Sequence, residues 1–197
     1  MDKVPTPTIL DNLIAAKRIP PMRAVFINPP LPSMRSKELT PNKDYADFLA
    51  YEFKPWLCDT WSICPNPRDT ILSGSSFGGL ASMYIAFQHP QQFGKVLSQS
   101  GSFWWAPRQT KSTTNWVTDL VLAQEKKPID IYLNAGRFET EPQSNSILNT
   151  NRQLYNALNS KGYTVSFQEV SSGHDYFSWR VMLAEGLVTL FSSNTQR

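Results

Sequence analysis

Cysteine, histidine and uninterrupted charge are what this 197-residue sequence has least of: two cysteines, two histidines, and a net charge of only +3. With Cys58 and Cys64 the only thiols and His89 and His174 the only imidazoles, no clustered soft-ligand metal site can be assembled. No metal and no cofactor are therefore expected. The two thiols are near enough in sequence to bridge, but a chain of this size does not need stapling, so the expectation is that they stay free. No lysine or arginine run marks a nucleic-acid groove or a polybasic anchor, which argues against nucleic acid or a membrane surface as partner. No apolar run approaches membrane-spanning length, and "MDKVPTPTIL" lacks the apolar stretch of a signal peptide. The sequence reads as a soluble, cytoplasmic chain. Its 41% hydrophobic content supports a sizeable core, and its length fits one domain, residues 1–197.

What is present is an alternation of short apolar runs with helical periodicity, the pattern of a mainly parallel α/β sheet covered by helices on both faces. The strand candidates are "AVFIN" (24–28), "TILSG" (70–74), "KVLSQ" (95–99), "IDIYLN" (129–134) and "TVSFQEV" (164–170), with a weaker one at "WSIC" (61–64). Leu80, Met83, Tyr84 and Phe87 recur at i, i+3, i+4 and i+7, which predicts a helix over 78–89 with one buried stripe, stopped by Pro90. The same test predicts helices near 44–56, 115–126 and 147–161, and a last one with Trp179, Met182, Leu183, Leu187 and Leu190 on one face. The proline-rich stretch 28–41 is a long loop after a strand, where α/β proteins place binding residues.

Chemistry enters at "ILSGSSFGGL" (71–80). The G-x-S-x-G spacing is met only with Ser76 at its centre, between Gly74 and Gly78. The motif closes a strand and opens a helix, so a tight turn presents the serine oxygen above the sheet in a strained conformation that small neighbours permit. The helix N-terminus behind it offers backbone N–H groups, Phe77 first, to a developing oxyanion.

A serine hydroxyl needs a base to take its proton. His89 ends the helix that Ser76 opens, roughly 18 Å away at 1.5 Å rise per residue, and reads as a C-terminal residue favourable to the helix dipole. His174, in the loop "SSGHDYFSW" after the last strand, lies at the same sheet edge as Ser76 and is the base by elimination and position. The acid should come from the loop "AGRFETEPQ" between them, where Glu139 is preferred over Glu141; a serine and histidine working without an acid is the remaining option. Asp175 reads as the cap of the final helix.

The stretches "GSSFGGLASMYIAFQHPQQFGKVLSQSGSFWW" (74–105), "GHDYFSWR" (173–180) and "IPPMRAVFI" followed by "RSKEL" (19–39) resemble the enterochelin (enterobactin) esterases and their broader esterase-D-like α/β-hydrolase relatives. The similarity covers nearly the whole chain. It implies hydrolysis of the serine trilactone of ferric tricatecholate siderophores, with Ser76 as nucleophile, His174 as base and Glu139 as acid. It also implies Arg35 and Arg180 as pocket residues. A ferric tricatecholate carries about three negative charges on flat aromatic faces, which suits guanidinium groups and indole rings. Trp104 and Trp105 would supply the stacking surface, against ordinary core packing for one of the two, while Arg35, Arg137 and Arg180 compete with a reading as solvated arginines. Family members begin with further strands and a "DG" loop that furnishes the second oxyanion donor. This chain is expected to lack both, leaving a sheet edge exposed and costing on the order of 10²- to 10³-fold in rate.

Two other functions stand beside the siderophore esterase: a general carboxylesterase for acyl or feruloyl-type esters, and a binder that holds catecholates without turning them over. In every reading the partner is a small molecule, and the sequence leaves the oligomeric state open.

Overall fold

The computed structural model describes residues 3–108, 115–142 and 145–192. Four parallel strands form one sheet in sequential order: β1 (Ile71–Ser75), β2 (Lys95–Gln99), β3 (Asp130–Gly136) and β4 (Val165–Val170). Ile71 pairs with Lys95, Lys95 with Asp130, and Ile131 with Val165. Each strand is joined to the next by one helix: α5 (Phe77–Gln88), α6 (Trp116–Ala123) and α7 (Ile147–Ser160). Parallel neighbours require such crossovers, and their uniform handedness puts all three helices on one face. Two helices cover the other face, α1 (Thr6–Ala15) and α8 (Tyr176–Ser192).

The period of two along the central strands divides the core. Val96, Ile131 and Leu133 pack under α5, α6 and α7, whereas Leu97 and Tyr132 pack under α1 and α8. The sequence predicts one buried stripe on α5, but residues 79–87 are all buried. A second helical layer causes this: α2 (Arg35–Leu39) and α3 (Lys43–Phe48) lie over the side of α5 that faces away from the sheet. From α3 the chain continues through a π turn (Leu49–Phe53) into α4 (Lys54–Trp61). The π turn comes just before Pro55, whose missing N–H and ring would break a regular ladder.

Two expected strands are absent. The segment 61–64 ends α4 instead, because Ser62 turns left-handed at φ 54° and reverses the chain. That reversal also brings Cys58 and Cys64 to a Cα separation of 4.6 Å, and the two are disulfide-bonded, contrary to the expectation of free thiols. The segment 24–28 forms no strand either, and β1 hydrogen-bonds only to β2. Met22, Arg23 and Val25 line two cavities, of about 770 and 360 Å³, together with Asp69 and Ile71, so open space takes the place of strand pairing there. Val25, Phe26 and Ile27 remain exposed.

Helix ends follow their sequences. Asn42 caps α3, Ser146 caps α7, and Asp175 accepts from Phe177 N and Ser178 N at the start of α8. His89 closes α5 with its Nε2 2.8 Å from Asp47 Oδ1, far from the sheet edge that carries Ser76. Among the described residues, no helix is long and apolar enough to cross a membrane.

Candidate active site

Because all four strands are parallel, the loops that follow β1, β2, β3 and β4 emerge at one edge, and they carry Ser76, Ser100, Glu139 and His174 respectively. Ser76 sits between β1 and α5 at φ 58° and ψ −122°, a region costly for any residue with a side chain. Gly74 makes the turn possible, since a Cβ there would come within 2.5 to 2.8 Å of the backbone of Gly78. Gly78 itself has open space where a Cβ would stand. The first glycine of the motif is therefore a steric requirement and the second is not. Ser76 N donates to Gln99 O at 2.9 Å and Ser102 N donates to Ser76 O at 3.1 Å, which ties the turn to the end of β2. The first intrahelical bond of α5 runs from Leu80 N to Ser76 O, so the N–H groups of Phe77, Gly78 and Gly79 have no acceptor within the helix. They form the positive end of its dipole.

Glu139 and His174 meet directly. The imidazole Nδ1 lies 2.5 Å from Glu139 Oε1, and the carboxylate side chain is almost wholly buried while the imidazole is 39% exposed. The other carboxylate oxygen, Oε2, accepts from Gly136 N at 2.6 Å and from Ser100 Oγ at 2.9 Å. A buried carboxylate is stable as an anion only when its lone pairs are met in this way. The two loops approach each other at Gly136, where a Cβ would collide with the carbonyls of Ser172 and Gly173. Arg137 N to Val170 O (2.8 Å) and Phe138 N to Ser172 O (3.1 Å) hold them in register. Glu141, the alternative acid, is exposed.

Ser76 stands apart from that pair in one respect. Its Oγ is hydrogen-bonded to Ser102 Oγ at 3.3 Å, and among the described residues no bond joins it to His174. Hydrogen bonds at such sites commonly tighten only when substrate is bound.

Around the serine, the Arg35 guanidinium lies over the Phe77 ring at 5.7 Å, and Phe77 in turn meets Trp104 at 5.9 Å. Trp104 is exposed, whereas Trp105 packs edge-on against Trp116 as part of the core. On the His174 side, Arg180 lies 4.7 Å from the Phe177 ring centroid, with its Nε buried and unbonded. Arg137 faces Glu169 at 3.8 Å, and Arg152 grips the same carboxylate with two bonds, of 2.7 and 2.9 Å. The Arg152 fork holds the Glu169 carboxyl below its ordinary range.

Sequence reasoning missed Ser100, Ser102 and Trp179, which frame the site. The Trp179 ring stands perpendicular to that of His174 at 4.8 Å and donates from Nε1 to Ser100 Oγ at 3.0 Å. The available signal was the run Ser98-Gln99-Ser100-Gly101-Ser102, polar and small at the very end of a buried strand.

A family model described as "Putative esterase" matches residues 3–190. The chain is 30% identical to the iron(III) enterobactin esterase of Dickeya dadantii, over 98% of this chain and 46% of that protein. Against the iron(III) enterobactin esterase of Escherichia coli strain K12 the identity is also 30%, over 95% and 46%. The crystal structure of the enterochelin esterase of Shigella flexneri superimposes with a TM-score of 0.81 at 30% identity, over 95% of this chain and 47% of its own. The chain spans about half the length of the relatives it matches.

Proposed function

The chain belongs to the esterase family, and from that premise we propose that it hydrolyses carboxylic esters through an acyl-enzyme on Ser76. The observation that carries this reading is the buried Glu139 carboxylate bonded to His174 Nδ1 at the sheet edge where Ser76 sits strained. In the reaction, Ser76 Oγ attacks the ester carbonyl and passes its proton to His174 Nε2. Glu139 keeps the imidazole proton on Nδ1 and stabilises the imidazolium. The Phe77 N–H donates to the oxyanion. The imidazolium then protonates the leaving alcohol, and water, activated by the same histidine, releases the acid and restores Ser76.

The substrate we propose is a ferric tricatecholate trilactone, with the iron as cargo. Arg35 above Phe77, exposed Trp104 and Arg180 beside Phe177 offer cations and flat rings to an anionic aromatic complex, while Trp105 packs against the core. Parallel assays of the ferric trilactone and a neutral butyrate ester test this. The expected result is a preference for the ferric complex that falls on the order of tenfold in an Arg35→Ala, Arg180→Ala double variant, with the neutral ester unaffected. Equal cleavage of both, unchanged in the double variant, makes the protein a general carboxylesterase.

A second reading is favoured by the Ser76 to Ser102 hydrogen bond, which pairs the serine oxygen with a partner other than the base. In that reading the site binds catecholates without turnover, and ferric complex is retained intact. We place the protein in the cytoplasm, although bridged cysteines persist mainly in oxidising compartments. Alkylation of Cys58 and Cys64 in freshly lysed cells decides this, since trapped free thiols are the cytoplasmic result.

A further inference from the structure

We propose that Ser100 is a positioning residue for the Glu139–His174 pair, a role that rests on the hydrolase reading above. Ser100 is 1% exposed and holds φ 47°, a conformation that glycine would adopt without cost. What serine adds there over glycine is its hydroxyl. The hydrogen-bond polarity at that hydroxyl is fixed by chemistry. Trp179 Nε1–H can only donate, so Ser100 Oγ accepts it at 3.0 Å and must direct its single proton to Glu139 Oε2 at 2.9 Å. With Gly136 N–H on the same oxygen, Oε2 is filled and Oε1 is left for His174 Nδ1. The imidazole is thereby held as the Nδ1–H tautomer, with the Nε2 lone pair free to take a proton.

The frame is anchored on three loops. Ser100 N donates to Asn134 O at 2.8 Å, and Gln99 Nε2 donates to Trp179 O at 2.7 Å. Trp179 is therefore held at both its indole and its backbone, and its ring sets the plane against which His174 rests. Removing the Ser100 hydroxyl leaves Glu139 Oε2 with Gly136 N–H as its one remaining donor among the described residues, so the carboxylate is free to turn and Oε1 is no longer fixed toward His174 Nδ1. The other titratable groups near His174 are Asp175 in its own loop, Tyr176 and Arg180 on α8, Lys3 over Tyr176, and Arg137 on the Glu139 loop. None of them bonds to Ser100, so a tautomer change in the Ser100 variant reports on Glu139.

The test is nitrogen NMR of the full chain, in which two histidines give separable imidazole signals and His174→Ala assigns them. Ser100→Gly removes the hydroxyl while keeping the backbone conformation; Trp179→Phe removes the N–H donor while keeping a smaller aromatic ring beside His174. The expected result for Ser100→Gly is partial loss of the Nδ1–H tautomer of His174. Turnover of a 4-nitrophenyl ester should fall about tenfold in kcat, with KM within twofold. Trp179→Phe, which frees the hydroxyl to turn, should give a smaller loss of the same tautomer. An unchanged tautomer in both variants overturns the proposal. Ser76→Ala separates the two levels: if it still turns over ester, the hydrolase reading fails, whereas a dead Ser76→Ala beside an unaltered Ser100→Gly removes only the role given to Ser100.

Discussion

Glu139 and His174, 35 residues apart in sequence, meet at 2.5 Å because β3 and β4 are parallel neighbours whose following loops touch at Gly136. The contact depends on that close approach as much as on the two side chains themselves.

Glu139→Gln keeps the shape but presents a neutral amide to His174 Nδ1, which frees the other tautomer. kcat for ester hydrolysis should fall on the order of 10³-fold or more with little change in KM. Steady-state kinetics with a neutral ester checks this. Glu141→Gln, at an exposed position, should stay within about twofold.

The two glycines of the serine turn should respond in opposite ways. Gly74→Ala forces a methyl into the backbone of Gly78 and should cost about 1–3 kcal/mol with loss of turnover. Gly78→Ala meets open space within α5 and should stabilise the fold by up to about 1 kcal/mol. Urea unfolding of both variants gives the comparison.

Much of this was legible in the sequence because it is local. Short apolar runs placed four strands within a residue or two, the G-x-S-x-G spacing selected Ser76, and Asp175 was recognisable as a cap. What escaped depends on neighbours that sequence does not order. The apolar pattern of 24–28 is a strand pattern, but a strand needs an adjacent edge, and cavities lie where that edge would have to be. The Cys58–Cys64 bridge follows from one left-handed residue, Ser62, and composition argued against it. Ser100 and Trp179 are 79 residues apart, and nothing in either local pattern links them.

Closing a short loop between Cys58 and Cys64 should stabilise the protein by about 2 kcal/mol on chain-entropy grounds. A Cys58→Ser, Cys64→Ser double variant should lose that amount in urea melts while its ester turnover remains within about twofold, since α4 contributes nothing to the edge that carries Ser76. A large loss of turnover would mean the disulfide loop reaches the site.

The Arg152 fork on Glu169 has a pH signature. A carboxyl whose folded pKa lies below its ordinary value of 4.5 contributes stability above that value and loses it as pH falls through the folded pKa. Both partners are partly solvated, so the contribution is at most about 1 kcal/mol. Arg152→Gln should be less stable than wild type at pH 7 and indistinguishable from it at pH 2, in urea melts at the two values.

Reaction of the purified chain with a fluorophosphonate probe tests the central claim most directly, because only an activated serine is phosphonylated at a useful rate. The account predicts one label per chain, located on Ser76 by peptide mass, abolished by Ser76→Ala and strongly slowed by His174→Ala. A chain that takes up no label, or one whose label is unchanged in both variants, contradicts it.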